Sequence, residues 1–223
     1  MGLGLGLNLS AGYVSSWEPS ELSSLLHWYR SGVGQTEDGN GVTAWNDQKG
    51  SNNLTGGTSA GEQPIIQQLG VFFNSNSDHL EFDSALTLGK FSFYIRASHS
   101  SPGDFFTTQQ SSGGTDFMKV QTNEEARIKI TNRHDYTLAS ELTNDVKYTI
   151  GYERAANGDI NVFVDSERAT LASGDGNEAI TDLTNLVELG RPAIGLTVFE
   201  IVILNDSLDA TNRALLFNYL SSK

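Results

Sequence analysis

Gly41-Val42-Thr43-Ala44-Trp45-Asn46-Asp47-Gln48-Lys49-Gly50-Ser51-Asn52-Asn53 reads as a short strand carrying one large aromatic, stopped by a turn-forming run of Asn, Asp, Gly and Ser. Strict alternation places Thr43 and Trp45 on one face of that strand and Val42, Ala44 and Asn46 on the other. Trp45 is therefore expected to anchor a core rather than serve as a ligand platform, because buried aromatics dominate core energetics. The polar residues after it are expected to form a surface loop.

Outward from this stretch, the same punctuation continues. Upstream, 19–26 reads as a short helix, with Pro19 in its first turn and Glu21 near its N-terminus, and Trp28 begins a strand. The segments 31–41 and 50–61 are polar and glycine-rich, the second with a turn at Gly56-Gly57. Downstream, strands are expected over 71–73, 79–82, 91–97, 105–108, 117–121, 126–131, 136–140, 146–153, 160–165, 167–171 and 187–189. Asn157-Gly158 between two of them is the sharpest hairpin signal. The run 197–205 is continuously apolar and β-branched, suited to a central strand packed on both faces. Asp209 is placed to cap a following helix whose apolar stripe is Leu215, Leu216, Tyr219 and Leu220, expected over an open end or edge of the fold. Many short strands with little helix between them predict an all-β antiparallel sandwich. With no internal repeat or long linker, one domain is expected over 17–223, with Trp28, Trp45, Tyr219 and Leu220 in its core and an extended arm over 1–16 before it.

Three blocks carry a family resemblance. They are Trp17-Glu18-Pro19-Ser20-Glu21-Leu22 running into Leu25-Leu26-His27-Trp28-Tyr29, Trp45-Asn46-Asp47 continued by Gln63-Pro64, and Phe199-Glu200-Ile201-Val202-Ile203-Leu204-Asn205 followed by Leu208-Asp209 and Asn218-Tyr219-Leu220. In order and spacing the chain resembles the concanavalin A-like (laminin-G-like) jelly-roll domains of tailed-bacteriophage structural proteins. Between the blocks it matches only in the rhythm of its strands. Tyr29-Arg30-Ser31 departs from the acidic residue often found after the first Trp of that family. The resemblance implies a jelly roll with a short N-terminal helix and a C-terminal helix. It further implies a non-enzymatic virion protein assembled in the bacterial host cytoplasm, a capsid decoration or accessory protein ahead of a tail or fibre component. Its partners would be other virion proteins, the major capsid protein first and tail proteins second, with homo-oligomers left open. The alternative is a tail- or fibre-associated carbohydrate-binding module that recognises host surface glycan.

Composition narrows the partners. With 14 Lys+Arg against 27 Asp+Glu the formal charge is −13, so nucleic acid is not expected, since phosphate binding needs clustered cations. No apolar run approaches the ~20 residues of a membrane helix, so no membrane is expected either. Cysteine is absent, which removes disulfides and zinc-thiolate sites and suits assembly in a reducing compartment. A chain of 223 residues buries about 70% of its unfolded surface, enough for a core without such support.

Some concanavalin A-like proteins are glycosidases, and retaining enzymes of that shape resemble a strand motif Glu-x-Asp-x-x-Glu. Glu81 and Asp83 supply the first two acids, but Leu86 stands where the third belongs, so both read as the solvated face of a strand. The four histidines, His27, His79, His99 and His134, show no short metal-ligand spacing; His27 reads as structural and the others as surface groups. Triads assemble from distant positions, so spacing leaves Ser-His-Asp chemistry open, but neither a Gly-x-Ser-x-Gly elbow nor a Walker phosphate loop occurs. The acidic stretches 38–41 and 175–178 read as turns rather than calcium loops. Loop aromatics such as Tyr13, Trp17 and Tyr136 are the candidates for stacking on sugar. No catalytic residue, metal or cofactor is expected.

The first nine residues, Met1-Gly2-Leu3-Gly4-Leu5-Gly6-Leu7-Asn8-Leu9, lack the basic start of a signal peptide and the Ser or Thr of a myristoylation motif. Extended, they carry Leu3, Leu5, Leu7 and Leu9 on one face, either as a frayed terminus or edge strand of the same domain or, in the functional reading, as the partner-docking residues of an arm. Burying these leucines contributes about 6–12 kcal/mol, while ordering the backbone of residues 2–9 costs about 8–16 kcal/mol. Docking thus needs main-chain pairing with a neighbouring strand edge or many arms engaged together. Extended, the arm reaches about 26–29 Å. Deleting residues 2–9 is expected to leave the melting temperature nearly unchanged while abolishing incorporation into particles. Normal occupancy of the deleted protein would move the attachment surface onto the sandwich.

Overall fold

All nine residues of the strand Leu196–Leu204 are buried, and its β-branched run has neighbours on both edges and both faces. The computed structural model describes residues 17–100, 116–121, 125–130, 132–172, 179–180, 182–191 and 194–223. The expected arm with Leu3, Leu5, Leu7 and Leu9, Tyr13, the strand at 105–108 and the acidic turn at 175–178 lie outside the described residues.

The strands are, in chain order, β1 (Leu25–Tyr29), β2 (Gln35–Glu37), β3 (Val42–Trp45), β4 (Leu54–Gly56), β5 (Ile65–Gln67) and β6 (Gly70–Phe73). There follow β7 (Leu80–Leu86), β8 (Phe91–His99), β9 (Phe117–Gln121), β10 (Glu125–Ile130), β11 (Asn132–Thr137) and β12 (Tyr148–Arg154). The last are β13 (Ile160–Val164), β14 (Glu167–Arg168), β15 (Thr170–Leu171), β16 (Leu186–Leu189) and β17 (Leu196–Leu204), before the helix α1 (Ala210–Ser221). An eight-stranded sheet runs β14-β13-β12-β8-β17-β6-β5, with β1 also paired to β17; a five-stranded sheet runs β16-β7-β4-β3-β2; a four-stranded sheet runs β15-β11-β10-β9. The fold is an all-β antiparallel sandwich, as expected, with a C-terminal helix packed on it. The β12–β13 hairpin turns at Asn157-Gly158, where Gly158 has a φ of +89°.

Two apolar layers follow from the alternation along the eight-stranded sheet. Phe93, Ile95, Ile201 and Ile203 point inward and meet Trp45, Leu54, Leu80 and Phe82 of the five-stranded sheet. Tyr94, Val202 and Leu204 point outward and meet Leu216, Phe217 and Leu220 of α1, together with Leu22, Leu25 and Trp28. The helix therefore covers a face of the sheet, not the end or edge expected. Asp209 caps it, its Oδ1 accepting from the Asn212 amide at 2.8 Å. Phe217 is buried against Tyr94 with ring centroids 5.3 Å apart, while Leu215 and Tyr219 are half-buried. Helix and sheet are also joined by charge: Arg213 Nε and a terminal nitrogen donate to the two oxygens of the fully buried Glu153 at 3.0 and 2.6 Å. Trp28 Nε1 and the Tyr219 hydroxyl both donate to Glu200 Oε1, each at 2.7 Å.

Two local expectations are corrected. The helix expected over 19–26 is only a 3-10 turn, Pro19–Glu21, because Leu25 and Trp28 gain burial and a ladder by pairing with Leu204 and Val202 of β17. In β3, Val42 and Trp45 are both buried, which strict alternation forbids. A bulge explains it: Glu37 faces Val42 and Thr36 faces Ala44, so Thr43 is an extra residue and meets Thr36 at the surface. The polar segments around β3 hold β2 and β4, short strands with exposed or half-buried polar faces.

After β3 the chain is fixed by Asp47. Its carboxylate accepts from His27 Nδ1 at 2.7 Å and from the Trp28 and Lys49 amides at 3.0 Å each. Burial would raise its pKa, but these donors, His27 foremost, hold it at about 2. Trp45 itself is fully buried, donates Nε1 to the Arg30 carbonyl at 3.1 Å and meets Tyr29 edge-on at 6.0 Å. Trp45→Ala is expected to cost about 3–5 kcal/mol in denaturant unfolding; a variant that melts within a degree or two of wild type would contradict this packing.

Candidate functional site

Residues opposite one another on antiparallel strands share a face of the sheet. β16 pairs with β7 so that Glu188 faces Glu81 and Leu189 faces Leu80. Leu80, Phe82 and Leu86 of β7 turn inward, which leaves Glu81 and Asp83 on the outer face. Glu81 is exposed there, while its neighbour Glu188 is only 2% exposed. His79 lies two residues before Glu81, on the same side of the extended chain, and is also buried. Arg191 completes the group from the turn after β16.

The contacts are short and mutually constraining. His79 Nε2 lies 3.5 Å from Glu81 Oε1, and Arg191 Nε lies 3.9 Å from Glu188 Oε1. A terminal guanidinium nitrogen of Arg191 lies 2.6 Å from His79 Nδ1 and 3.1 Å from Nε2. His79 Nδ1 is also 2.8 Å from the Ser77 carbonyl oxygen. The Ser77 carbonyl can only accept and the Arg191 guanidinium can only donate, so the two compete for Nδ1 and the tautomer of His79 follows whichever partner holds it. Glu188 Oε1 is buried and has no hydrogen-bond partner among the described residues. Burial pushes the Glu188 carboxyl above its ordinary value; Arg191 and His79 oppose that shift, and Glu81 adds to it. The next residue inward, Asp78, is raised by burial although its Oδ2 accepts from the Asn74 and Ser75 amides at 2.7 and 3.1 Å. The result is one acid held out of water beside a second in water, with a cation and a fixed imidazole at hand. Such a group can bind paired hydroxyls and can move a proton.

Sequence reasoning found Glu81 and missed its partner. Leu86, at the third motif position, is buried, and Asp83 accepts only from Thr55 Oγ1 at 3.0 Å among the hydrogen bonds described. The second acid comes from a distant strand, and only register brings it in. The expectation of surface histidines is corrected: His79, His99 and His134 are all buried. The aromatic candidates also change, since Tyr136 is buried and Trp17 packs edge-on against Tyr219 at 6.1 Å. The stretch at 38–41 is a turn, with Asp38 Oδ1 accepting from the Asn40 and Gly41 amides at 2.7 and 3.2 Å. Trp28, Trp45, Tyr219 and Leu220 lie in the two packed layers and do not join this cluster.

No protein-family model and no curated sequence matches the chain. Among solved structures it is similar to Trypanosoma rangeli sialidase, with a TM-score of 0.62 at 14% identity over 90% of this chain and 33% of that one. It is similar to the binding domain of Paraclostridial Mosquitocidal Protein 1, with a TM-score of 0.58 at 12% identity over 86% of this chain and 52% of that one. The binding domain of botulinum neurotoxin serotype D gives 0.57 at 8% identity over 87% and 50%. The chain thus spans about a third of the sialidase and about half of each toxin binding domain. These likenesses establish the sandwich fold. They also overturn the expectation that the chain is no enzyme: that exclusion rested on a missing third acid, yet the fold recurs within sialidases and a second acid stands beside Glu81.

A raised carboxyl pKa stabilises the fold below the unfolded value and loses that contribution as pH rises through the folded one. Glu188→Gln should therefore melt above wild type at pH 7, by about 2–4 °C if the relief is ~1 kcal/mol. The gap should close as pH falls below 4.5, the ordinary value for Glu. Scanning calorimetry across that range checks it; a lower melting temperature for the variant at pH 7 would contradict the strain at Glu188.

Proposed function

We propose that the chain is a glycan-recognition module whose contact face is the outer side of the five-stranded sheet around His79, Glu81, Glu188 and Arg191. The observation that carries this reading is the cross-strand pair Glu81–Glu188, flanked by a guanidinium and an imidazole. Carboxylates beside cationic donors suit the alternating donors and acceptors of sugar hydroxyls. The fold shared with a sialidase and with toxin binding domains supports the reading without identifying a ligand. Hydrolysis is a second reading, favoured by two adjacent acids in unequal environments.

The blocks around Trp17, Trp45 and Phe199 support carriage of the module on a tailed-phage virion, docked to capsid or tail proteins. The structural neighbours are sialidase and toxin binding domains and add nothing to that placement.

A glycan array probed with the full chain is expected to give a family of hits that Arg191→Gln weakens at least ~10-fold, about 1.4 kcal/mol. An array without hits, or hits indifferent to Arg191→Gln and Glu81→Gln, would overturn the site. Chromatography of the hit glycans after incubation separates binding from hydrolysis.

A further inference from the structure

We propose that His79, Glu81 and Glu188 form a site for a divalent cation of the zinc class, in which the ion takes the place of the Arg191 guanidinium. This goes beyond glycan recognition and does not depend on it.

One ligand atom from each of the three residues lies within 4.8 Å of the other two. Tetrahedral zinc with nitrogen and oxygen ligands at about 2.0–2.2 Å sets its ligands about 3.4 Å apart. His79 Nε2 and Glu81 Oε1 are already at 3.5 Å. The Glu81 side chain is 65% exposed and can rotate to bring its oxygen to the ion held by His79 and Glu188. His79 and Glu81 project from the same side of one strand, and Glu188 faces Glu81 from the next, so the backbone already gathers all three.

Two independent features point to an ion. Among the described residues Glu188 Oε1 is buried without a hydrogen-bond partner, its nearest cation being Arg191 Nε at 3.9 Å. His79 Nδ1 lies 2.8 Å from the Ser77 carbonyl, so with the Arg191 guanidinium displaced it has an acceptor for its proton, the outer contact that orients a metal-binding imidazole and leaves Nε2 to the metal. Charge balance agrees: two carboxylates with one guanidinium leave one negative charge, and a divalent ion in its place leaves none. An imidazole with two carboxylates suits zinc better than calcium, which prefers an all-oxygen shell. Three protein ligands leave the fourth position for water or a ligand hydroxyl.

The test is isothermal titration of the full chain with zinc chloride and, separately, calcium chloride, with no glycan present. Zinc is expected to bind with a stoichiometry of one, and His79→Ala and Glu188→Gln should each weaken it at least ~10-fold. Glu81→Gln, at an exposed position that leaves the fold intact, should weaken it likewise, and Arg191→Gln should tighten it. Absence of zinc binding, zinc binding indifferent to Glu81→Gln and His79→Ala, or calcium bound in preference to zinc would each overturn the proposal. A failed glycan array with zinc bound as described would remove only the glycan reading.

Discussion

The register between β7 and β16 is the constraint on which the site depends. A slip of one residue would send Glu188 into the apolar interior and leave Glu81 alone. The register is pinned at both ends. At one, the buried Thr184 donates its hydroxyl to the Leu86 carbonyl at 2.7 Å and accepts from the Leu88 amide at 2.8 Å. Arg154, also buried, donates nearby to the carbonyls of Leu88 and Asp182, each at 2.5 Å. At the other end Gly190 takes a φ of +99°, and a Cβ there would come within 2.1 Å of the Phe73 ring. Only glycine fits both the backbone angle and the close approach, and the turn it makes returns Arg191 over Glu188.

The opposite side of the molecule uses buried charge in another way. Glu153 is saturated by Arg213 and by the Tyr94 hydroxyl at 2.6 Å. Removing one partner of such a pair typically costs about 3–5 kcal/mol, because the other is left buried alone. There the polar groups fix where α1 sits on the sheet. At Glu188 the carboxyl is buried, raised and, among the described residues, short of donors. Glu188 Oε1 and Glu200 Oε2 are both buried without a hydrogen-bond partner among the described residues, but of the two only Glu188 stands with an imidazole and a second acid whose ligand atoms all lie within 4.8 Å of one another.

The sandwich was legible because its elements are local. The run around Val198–Val202 of β17, the Asn157-Gly158 turn and the Asp209 cap each declare themselves within a few residues. Where tertiary contacts outweigh local preference, reading by pattern failed. Leu25 left a helical pattern to pair with β17, Thr43 bulged out of alternation, and Phe217 joined the buried face of α1. The site was half legible. Glu81 stood in a recognisable motif, but Glu188 and Arg191 come from the far end of the chain and are brought in by strand pairing, which no spacing rule encodes. The buried state of His79 was hidden for the same reason: Gly57 lets the chain approach its ring, with a hypothetical Cβ only 3.1 Å from Cε1.

The fold holds the Glu188 carboxyl out of water beside Glu81. Carbon-13 NMR of the side-chain carboxyls, followed through a pH titration and assigned with Glu188→Gln, measures this directly. Glu188 is expected to titrate above 4.5, the ordinary value for Glu. A Glu188 carboxyl that titrates at or below that value would instead stand in water or in a complete set of hydrogen bonds, and would contradict a carboxyl held dry beside Glu81.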